Sequence, residues 1–275
     1  MQSVLERYIR CWNDVFALAR RPAAFLPFAL VALLKSGLLL AMYFFWHPLV
    51  AGFMAPALRV LGGEEVLHFP THARSLPILF QTSEIVLIAL FGFAAAVWAS
   101  SLMADSLEGK KRPLGAYAGH IAVLTPSIVV MALVFAGGTI GLPMALSWAA
   151  GELEGRPMIH LALLAGALGT AVLLRILLAY SPYFVRTAKG VGFGAIRKSV
   201  AFAREHFALT MLIVLTAMVP EKLLEYVASY TSVFLENSRP EWIPALLLFK
   251  SVIEVFTWFF WVGAVTSKAT DRTSS

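Results

Sequence analysis

Five charged side chains stand inside otherwise apolar stretches of the sequence. They are Lys35, Glu84, Arg175, Lys250 and Glu254. A charge at the centre of a bilayer costs about 3 kcal/mol on insertion scales unless it pairs with an opposite charge or meets water. These residues could therefore lock helices together as two ion pairs, Lys35 with Glu84 and Lys250 with Glu254. They could equally line a polar cavity for an ion, a proton or a lipid headgroup, and the sequence leaves both alternatives open.

Four of these side chains are expected to share one depth in the membrane. Lys35 lies near the middle of its apolar stretch and Glu84 in the outer part of the next one. Lys250 and Glu254 are four residues apart in the last stretch and share a helical face, although Lys before Glu is the weaker order for such a pair. The pattern predicts an intramembrane polar layer whose members can find partners on other helices.

A second set of residues could contact a phosphate at the inner surface of the membrane. Arg175 lies in the inner half of its apolar stretch, and two tyrosines follow it closely. The candidate headgroup contacts are Arg175, Tyr180, Tyr183, Arg197 and Lys198. Arginine and tyrosine at an interface are also ordinary membrane anchors, so this set alone does not distinguish a binding site from an anchor.

Six apolar stretches must position these residues. Of the 275 residues, 59% are hydrophobic and 14% are charged, whereas soluble domains average about 45–50% and about 25%. A membrane crossing needs about 20 apolar residues, and lipid requires each crossing to be helical. We expect one all-α integral membrane domain over residues 1–275 with spans at about 23–46, 79–104, 121–148, 158–184, 207–228 and 243–266.

The first apolar stretch is expected to be an uncleaved signal-anchor. It is too long for the apolar region of a signal peptide, and no clear small-residue cleavage site follows it. We therefore expect the N-terminus to be retained.

The charges of the loops predict the orientation. Most basic residues lie in the N-terminal segment, in the loops after the second and fourth spans, and in the C-terminal tail, which all face the same side. They are Arg7, Arg10, Arg20, Arg21, Lys110, Lys111, Arg112, Arg186, Lys189, Arg197, Lys198, Arg204, Lys268 and Arg272. The other side is mainly acidic and includes Glu64, Glu65, Glu152, Glu154, Glu221, Glu225, Glu236 and Glu241 besides Arg59, Arg74, Arg156, Lys222 and Arg239. The positive-inside rule then places both termini in the cytoplasm. Because the basic residues flank spans, the net charge of +6 indicates topology, and nucleic-acid binding is not expected.

Two segments on the basic side have the spacing of amphipathic helices. Their apolar positions are Leu5, Tyr8, Ile9, Trp12 and Phe16 in the first, and Phe193, Ile196, Val200, Ala203 and Phe207 in the second. Such helices can lie in the interface of an anionic leaflet. The alternative is that they pack on the ends of the bundle. Each segment leads into an odd-numbered span, so the chain can also be divided into three helical hairpins, a pattern that topology alone can produce.

No catalytic, metal-binding or cofactor-binding motif is present in the sequence. The histidines are scattered, GxSxG and Walker loops are absent, and the single Cys11 excludes an intramolecular disulfide. The glycines from Gly190 to Gly194 lack the preceding strand of a nucleotide loop, and we interpret them as a turn. We therefore expect neither enzymatic activity nor a cofactor.

One region resembles a known family. The residues Leu173-Leu174-Arg175, Ser181-Pro182-Tyr183-Phe184-Val185, Gly190 to Gly194, Ala195-Ile196-Arg197-Lys198-Ser199 and His206-Phe207 carry the similarity. They resemble bacterial six-helix membrane domains, including the membrane domain attached to some glycerophosphoryl diester phosphodiesterases and its stand-alone relatives. The resemblance implies a six-span fold in the bacterial inner membrane. Relatives often have an acidic residue where Arg186 and Thr187 follow Val185 here. Since no phosphodiesterase domain follows Ser275, the hydrolase activity is not expected to carry over.

The sequence favours a non-catalytic scaffold or accessory protein that engages membrane lipids or a partner protein. The alternative is a small transporter or lipid-handling protein that uses the polar layer of Lys35, Glu84, Lys250 and Glu254. A transporter needs a cavity that reaches this layer, whereas a scaffold would bury the charges as closed pairs. The oligomeric state stays open.

Overall fold

The computed structural model describes residues 3–110, 112–142, 145–146, 157–187, 192–236 and 239–273. This part of the chain consists of helices joined by short connections and contains no β-strand. The α-helices are α1 (Val4–Ala19), α2 (Leu26–Tyr43), α3 (Pro48–Gly62), α4 (Thr71–Leu87), α5 (Phe93–Leu107), α6 (Leu114–Ala136), α7 (Pro157–Leu177), α8 (Ser181–Thr187), α9 (Phe193–Glu205), α10 (Phe207–Ser229), α11 (Thr231–Glu236) and α12 (Trp242–Thr273).

Six helical stretches within the described residues are long and apolar enough to cross a membrane. They are Leu26–Tyr43, Thr71–Leu107, Leu114–Phe135, Met158–Thr187, Phe207–Leu224 and Trp242–Asp271. The prediction of an all-helical, multi-pass membrane protein with six such helices is confirmed. Several positions used for the topology lie outside the described residues: Lys111, Glu152, Glu154, Arg156, Lys189, positions 143–144 and 147–148 of the third span, and positions 190–191 of the predicted turn.

The observed helices differ from the predicted spans mainly at their ends. The second stretch begins at Thr71 instead of residue 79, and the third at Leu114 instead of residue 121. Each start follows a proline, and the backbone of Pro113 is extended. Proline has no N–H to donate, and the start of a helix does not require one, so proline fits a boundary that the apolar pattern alone does not reveal. The fourth span ends as α7 at Leu177, and a turn separates it from the short α8.

Helix α12 is the centre of the bundle and packs against α1, α2, α5 and α10. Its contact with α1 is close: a Cβ atom added at Gly263 would lie 3.1 Å from Cγ2 of Val15. Glycine therefore lets the backbone of α12 approach the side chains of α1.

Helices α4 and α5 form one continuous stretch that is widened by a π-helical segment at Ile88–Gly92. A Cβ atom at Gly92 would lie 3.0 Å from the Trp258 ring of α12, and Ala96 in the next turn is fully buried. The small residues let α5 pack closely on α12. A second π-helical segment, Gly137–Gly141, continues α6. Such widened turns often occur at functional sites.

Helix α1 has an apolar face that is wider than the surface the bundle covers. Its N-terminus is closed by a capping box in which Ser3 and Glu6 bond to each other's backbone N–H groups. Cys11, Val15 and Leu18 are buried. Farther round the same apolar face, a strip formed by Leu5, Ile9 and Phe16 is 62%, 51% and 61% exposed. One flank thus packs on the bundle while the other has no protein contact to bury it.

Helix α9 buries a face that only partly overlaps the stripe that its apolar spacing predicted. Ala195, Ser199 and Phe202 are buried together with Ala203 of the predicted stripe, whereas Phe193 of that stripe is exposed. The small side chains of Ala195 and Ser199 allow close packing on α8 and α7, and this contact decides the orientation more strongly than hydrophobicity does. Phe193 is left on an outer face together with Arg197.

Candidate functional site

The structure brings the four residues of the predicted polar layer into one contact group, here called the intramembrane charge cluster: Lys35, Glu84, Lys250 and Glu254. Lys35 comes from the middle of α2, Glu84 from the last turn of α4, and the other two from α12. The ammonium of Lys35 pairs with both carboxylates. The ammonium of Lys250 lies 2.6 Å from Oε2 of Glu84 and 3.2 Å from Oε1 of Glu254.

This arrangement connects three helices through opposite charges. Each ammonium contacts both carboxylates, so the pairing differs from two separate ion pairs. The side chains of Lys35 and Glu84 are both 3% exposed, and two positive charges balance two negative ones. Removing one member of a buried group of this kind leaves an uncompensated charge and is costly. The cluster is thus suited to holding α2, α4 and α12 in one register.

Hydrogen bonding within the cluster is incomplete. Oε1 of Glu84 and Oε1 of Glu254 each contact an ammonium as an ion pair, without the alignment of a full hydrogen bond. Carboxylate oxygens have two acceptor sites each. The cluster therefore retains capacity to accept a hydrogen bond from water.

Two neighbouring cavities lie beside the cluster. A cavity of about 20 Å³ touches Lys35 and Glu254, which is room for roughly one water. A cavity of about 60 Å³ reaches Arg175 and Glu221. Ile88 and Trp258 line both. The two cavities therefore share a wall to which these two side chains contribute.

Arg175 pairs with an acid on another helix. Its guanidinium Nη1 lies 3.8 Å from Oε2 of Glu221 on α10. The sequence had assigned Glu221 only to the acidic outer side. Its partnership was missed because the rotation of α10 against α7 cannot be read from the apolar pattern.

The residues predicted as headgroup contacts do not form one surface. Tyr180 and Tyr183 are buried among α8, α9 and α10. The Tyr180 hydroxyl lies 3.1 Å from Oγ1 of Thr210, and its backbone N–H donates to Oγ of Ser199 at 3.2 Å. Both rings lie inside the protein, so neither tyrosine is placed to contact a headgroup as the sequence had suggested. Arg197 and Lys198 are exposed on α9.

A second charged group was not anticipated from the sequence. Here called the Asp105 cluster, it consists of Asp105, Glu108, Arg112, Tyr117 and Arg186. Two groups donate to the Asp105 carboxylate, the Arg186 guanidinium at 2.7 Å and the Tyr117 hydroxyl at 3.0 Å. Nε of Arg112 lies 3.3 Å from the same carboxylate. The group connects the end of α5 to α6 and α8. In the sequence, Arg112 and Arg186 indicated only the orientation of the spans and gave no sign of this contact. Asp105 lies at the end of an apolar run and belongs to no motif.

The only cysteine lies in a protected position outside the spans. Cys11 is buried on the packed flank of α1. Burial, reinforced by the nearby Asp14 carboxylate, raises the pKa of the thiol to about 11. Because the thiolate is the reactive form, the thiol is expected to be inert near neutral pH.

The described residues contain no group of three His, Cys, Asp or Glu side chains placed to hold a metal ion. Comparison of the chain with protein-family models, curated proteins and solved structures gives no match. The resemblance to bacterial six-helix membrane domains therefore stays a prediction.

Proposed function

We propose that this protein is a non-catalytic accessory component of a membrane that engages lipids on the side of its termini. The burial of the intramembrane charge cluster carries the proposal. A transporter that used these charges would have to expose them to its substrate, whereas here each ammonium is closed against two carboxylates. A closed, neutral cluster suits a rigid bundle that presents a surface.

Helix α1 supports lipid engagement. Its exposed strip of Leu5, Ile9 and Phe16 runs beside a polar flank that carries Arg10. A helix in the membrane interface buries such an apolar strip and keeps its charged flank among the headgroups. The exposed Phe193 and Arg197 of α9 offer a similar combination.

The location follows from the same charges. We propose that both termini and the two surface helices face the cytoplasm of a bacterial cell, at the inner membrane. The support is the excess of Lys and Arg in and around α1, in and around α9, and at the C-terminal end of α12. Cytoplasmic segments next to spans are enriched in these residues.

Cysteine labelling tests the surface role. Because Cys11 is inert, a cysteine introduced by Phe16→Cys can carry a nitroxide selectively. Asn13→Cys is the matched control, since Asn13 lies on the polar flank of the same helix. In vesicles with anionic lipids, we expect the Phe16 position to be shielded from water-soluble relaxation agents and the Asn13 position to stay accessible. Equal accessibility would contradict lipid engagement and would favour a partner protein as the binder of α1.

A second function, transport of a small solute or proton, is favoured by one specific observation. Ile88 of the π-helical segment and Trp258 separate the cavity beside the charges from the cavity at Arg175 and Glu221. A movement of either side chain would connect the two. In proteoliposomes, Trp258→Ala should then create a proton or solute flux that Glu254→Gln abolishes. A folded Trp258→Ala protein without flux would rule out this route.

A further inference from the structure

An apolar groove of about 760 Å³ runs along the outside of α2 and α5. Leu30, Leu34 and Leu38 of α2 form one wall, and Phe91 of the π-helical segment and Trp98 of α5 form the other. Phe53 of α3 lines it at one end and Ile121 of α6 at the other. The groove lies on two of the candidate membrane spans, so lipid is the solvent that meets it.

The length of the groove suits a single acyl chain. Its α2 wall extends from Pro27 to Ala41, which corresponds to about 21 Å at roughly 1.5 Å per residue. One leaflet contributes about half of a hydrocarbon core that is roughly 30 Å thick. The groove is therefore longer than one leaflet, about 15 Å deep, so an acyl chain of that leaflet can lie along most of its length.

One end of the groove carries an unused hydrogen-bond donor. Nε1 of Trp98 is buried and has no acceptor among the described residues. Leaving such a donor unsatisfied costs about 1–3 kcal/mol. Trp98 lies seven positions before Asp105 on α5, near the end of the bundle that holds the chain termini. Because Trp98 lines the groove, a small movement of its indole ring would let an ester carbonyl of a phospholipid at that depth accept the N–H.

Positive charge lies at the same end. Arg20 and Arg21 are exposed and immediately precede the 3₁₀ turn Pro22–Ala24, which packs on α5. Pro27, at the start of the groove, follows one turn later. Arginine binds phosphate oxygens through paired N–H donors. The order along the groove is thus acyl wall, carbonyl donor and phosphate-binding charge, which is the order of groups in a phospholipid.

We infer that this groove binds one phospholipid from the leaflet on the side of the termini, with an acyl chain along α2, its ester region at Trp98 and its phosphate at Arg20 and Arg21. This site is separate from the α1 surface. It is expected whether the protein acts as an accessory component or as a transporter.

Native mass spectrometry of the full-length protein in detergent, with added phosphatidylglycerol, tests the inference. Gly37→Trp should fill the groove without disturbing the bundle, because Gly37 lines the groove and a Cβ there meets no atom within 4 Å. Gly166→Trp is the matched control, since Gly166 also has no atom within 4 Å but lies on α7, outside the groove. We expect the single-lipid adduct to weaken about tenfold in Gly37→Trp and to persist in Gly166→Trp.

Two further variants test the polar end. Trp98→Phe keeps an aromatic ring, although a smaller one, and removes the donor, so lipid affinity should fall roughly fivefold. The double variant Arg20→Gln/Arg21→Gln should weaken phosphatidylglycerol binding, because it removes the guanidinium groups that pair with the phosphate. Equal lipid retention in the Gly37→Trp and Gly166→Trp proteins, or adducts of fatty acid or detergent alone, would overturn the inference. The accessibility of the Phe16 position is measured separately, so this result and the proposed function can fail independently.

Discussion

The intramembrane charge cluster and the Asp105 cluster solve the problem of a buried carboxylate in different ways. Glu84 and Asp105 lie on the same continuous helix, about 31 Å apart at roughly 1.5 Å per residue. Glu84 is enclosed by two lysines that are themselves buried. Asp105 is only 1% exposed, yet one of its partners, Arg112, is 50% exposed. The first cluster is sealed in the bundle, whereas the second is connected to water through its cations.

This difference teaches how each cluster should respond to its surroundings. Salt screens charges that meet water and has little access to buried ones. The contribution of the intramembrane cluster to stability should therefore depend on the balance of its own charges. The contribution of the Asp105 cluster should depend on the salt concentration at the membrane surface.

The largest expected effect comes from unbalancing the intramembrane cluster. Glu84→Gln leaves two lysines against one carboxylate, and we expect a loss of about 3–5 kcal/mol in the free energy of unfolding. Thermal unfolding in detergent measures it. The double variant Glu84→Gln/Lys250→Met restores neutrality and should recover at least half of that loss. The single variant Lys250→Met completes the comparison. If the double variant lost as much unfolding free energy as the two single variants lose together, the charge-balance explanation would be contradicted.

A smaller effect is expected at the other cluster. Asp105→Asn keeps an acceptor but removes the charge that Arg186 and Arg112 share, and should cost about 1.5–3 kcal/mol. Added salt should lower the melting temperature of the unaltered protein and have less effect on Asp105→Asn. The Glu84→Gln protein should keep the salt dependence of the unaltered one. An identical salt response in all three proteins would remove the distinction between the clusters.

Removing one hydrogen bond from an uncharged donor distinguishes the contribution of Tyr117 from that of the arginines in the Asp105 cluster. Tyr117→Phe removes the hydroxyl that donates to Asp105 at 3.0 Å and keeps the ring. We expect a loss of about 1 kcal/mol in unfolding free energy, observed in the same thermal assay. A loss as large as that of Asp105→Asn would mean that the tyrosine, and not the arginines, dominates this cluster.

The smallest effect is expected for an exposed ion pair. Arg59 and Glu64 pair at the surface, with side chains 55% and 62% exposed. Such pairs contribute about 0–1 kcal/mol, so Arg59→Gln should leave the melting temperature almost unchanged. A marked destabilisation would show that removing any charge is harmful, and burial would lose its explanatory role.

The sequence predicted which residues form the candidate site better than it predicted which of them contact one another. Lys35, Glu84, Lys250 and Glu254 were recognisable because each interrupts an apolar run, which is a local signal. Two of their contacts, Lys35 with Glu84 and Lys250 with Glu254, were among the alternatives that the sequence offered. The pairing of Lys35 with Glu254 depends on how α2 rotates against α12, which side-chain packing decides. Asp105 gave no local signal because it ends a span, where an acid is unremarkable.

The sequence by itself determined that this chain forms six apolar helices long enough to cross a membrane, since a run of about 20 apolar residues requires lipid and lipid requires helical hydrogen bonding. It also determined the amphipathic character of α1. Only the tertiary structure decided which flank of α1 is buried, which face of α9 packs, and that four isolated charges close on one another. Those outcomes depend on contacts between residues far apart in the chain, whose free energies arise only when the helices meet.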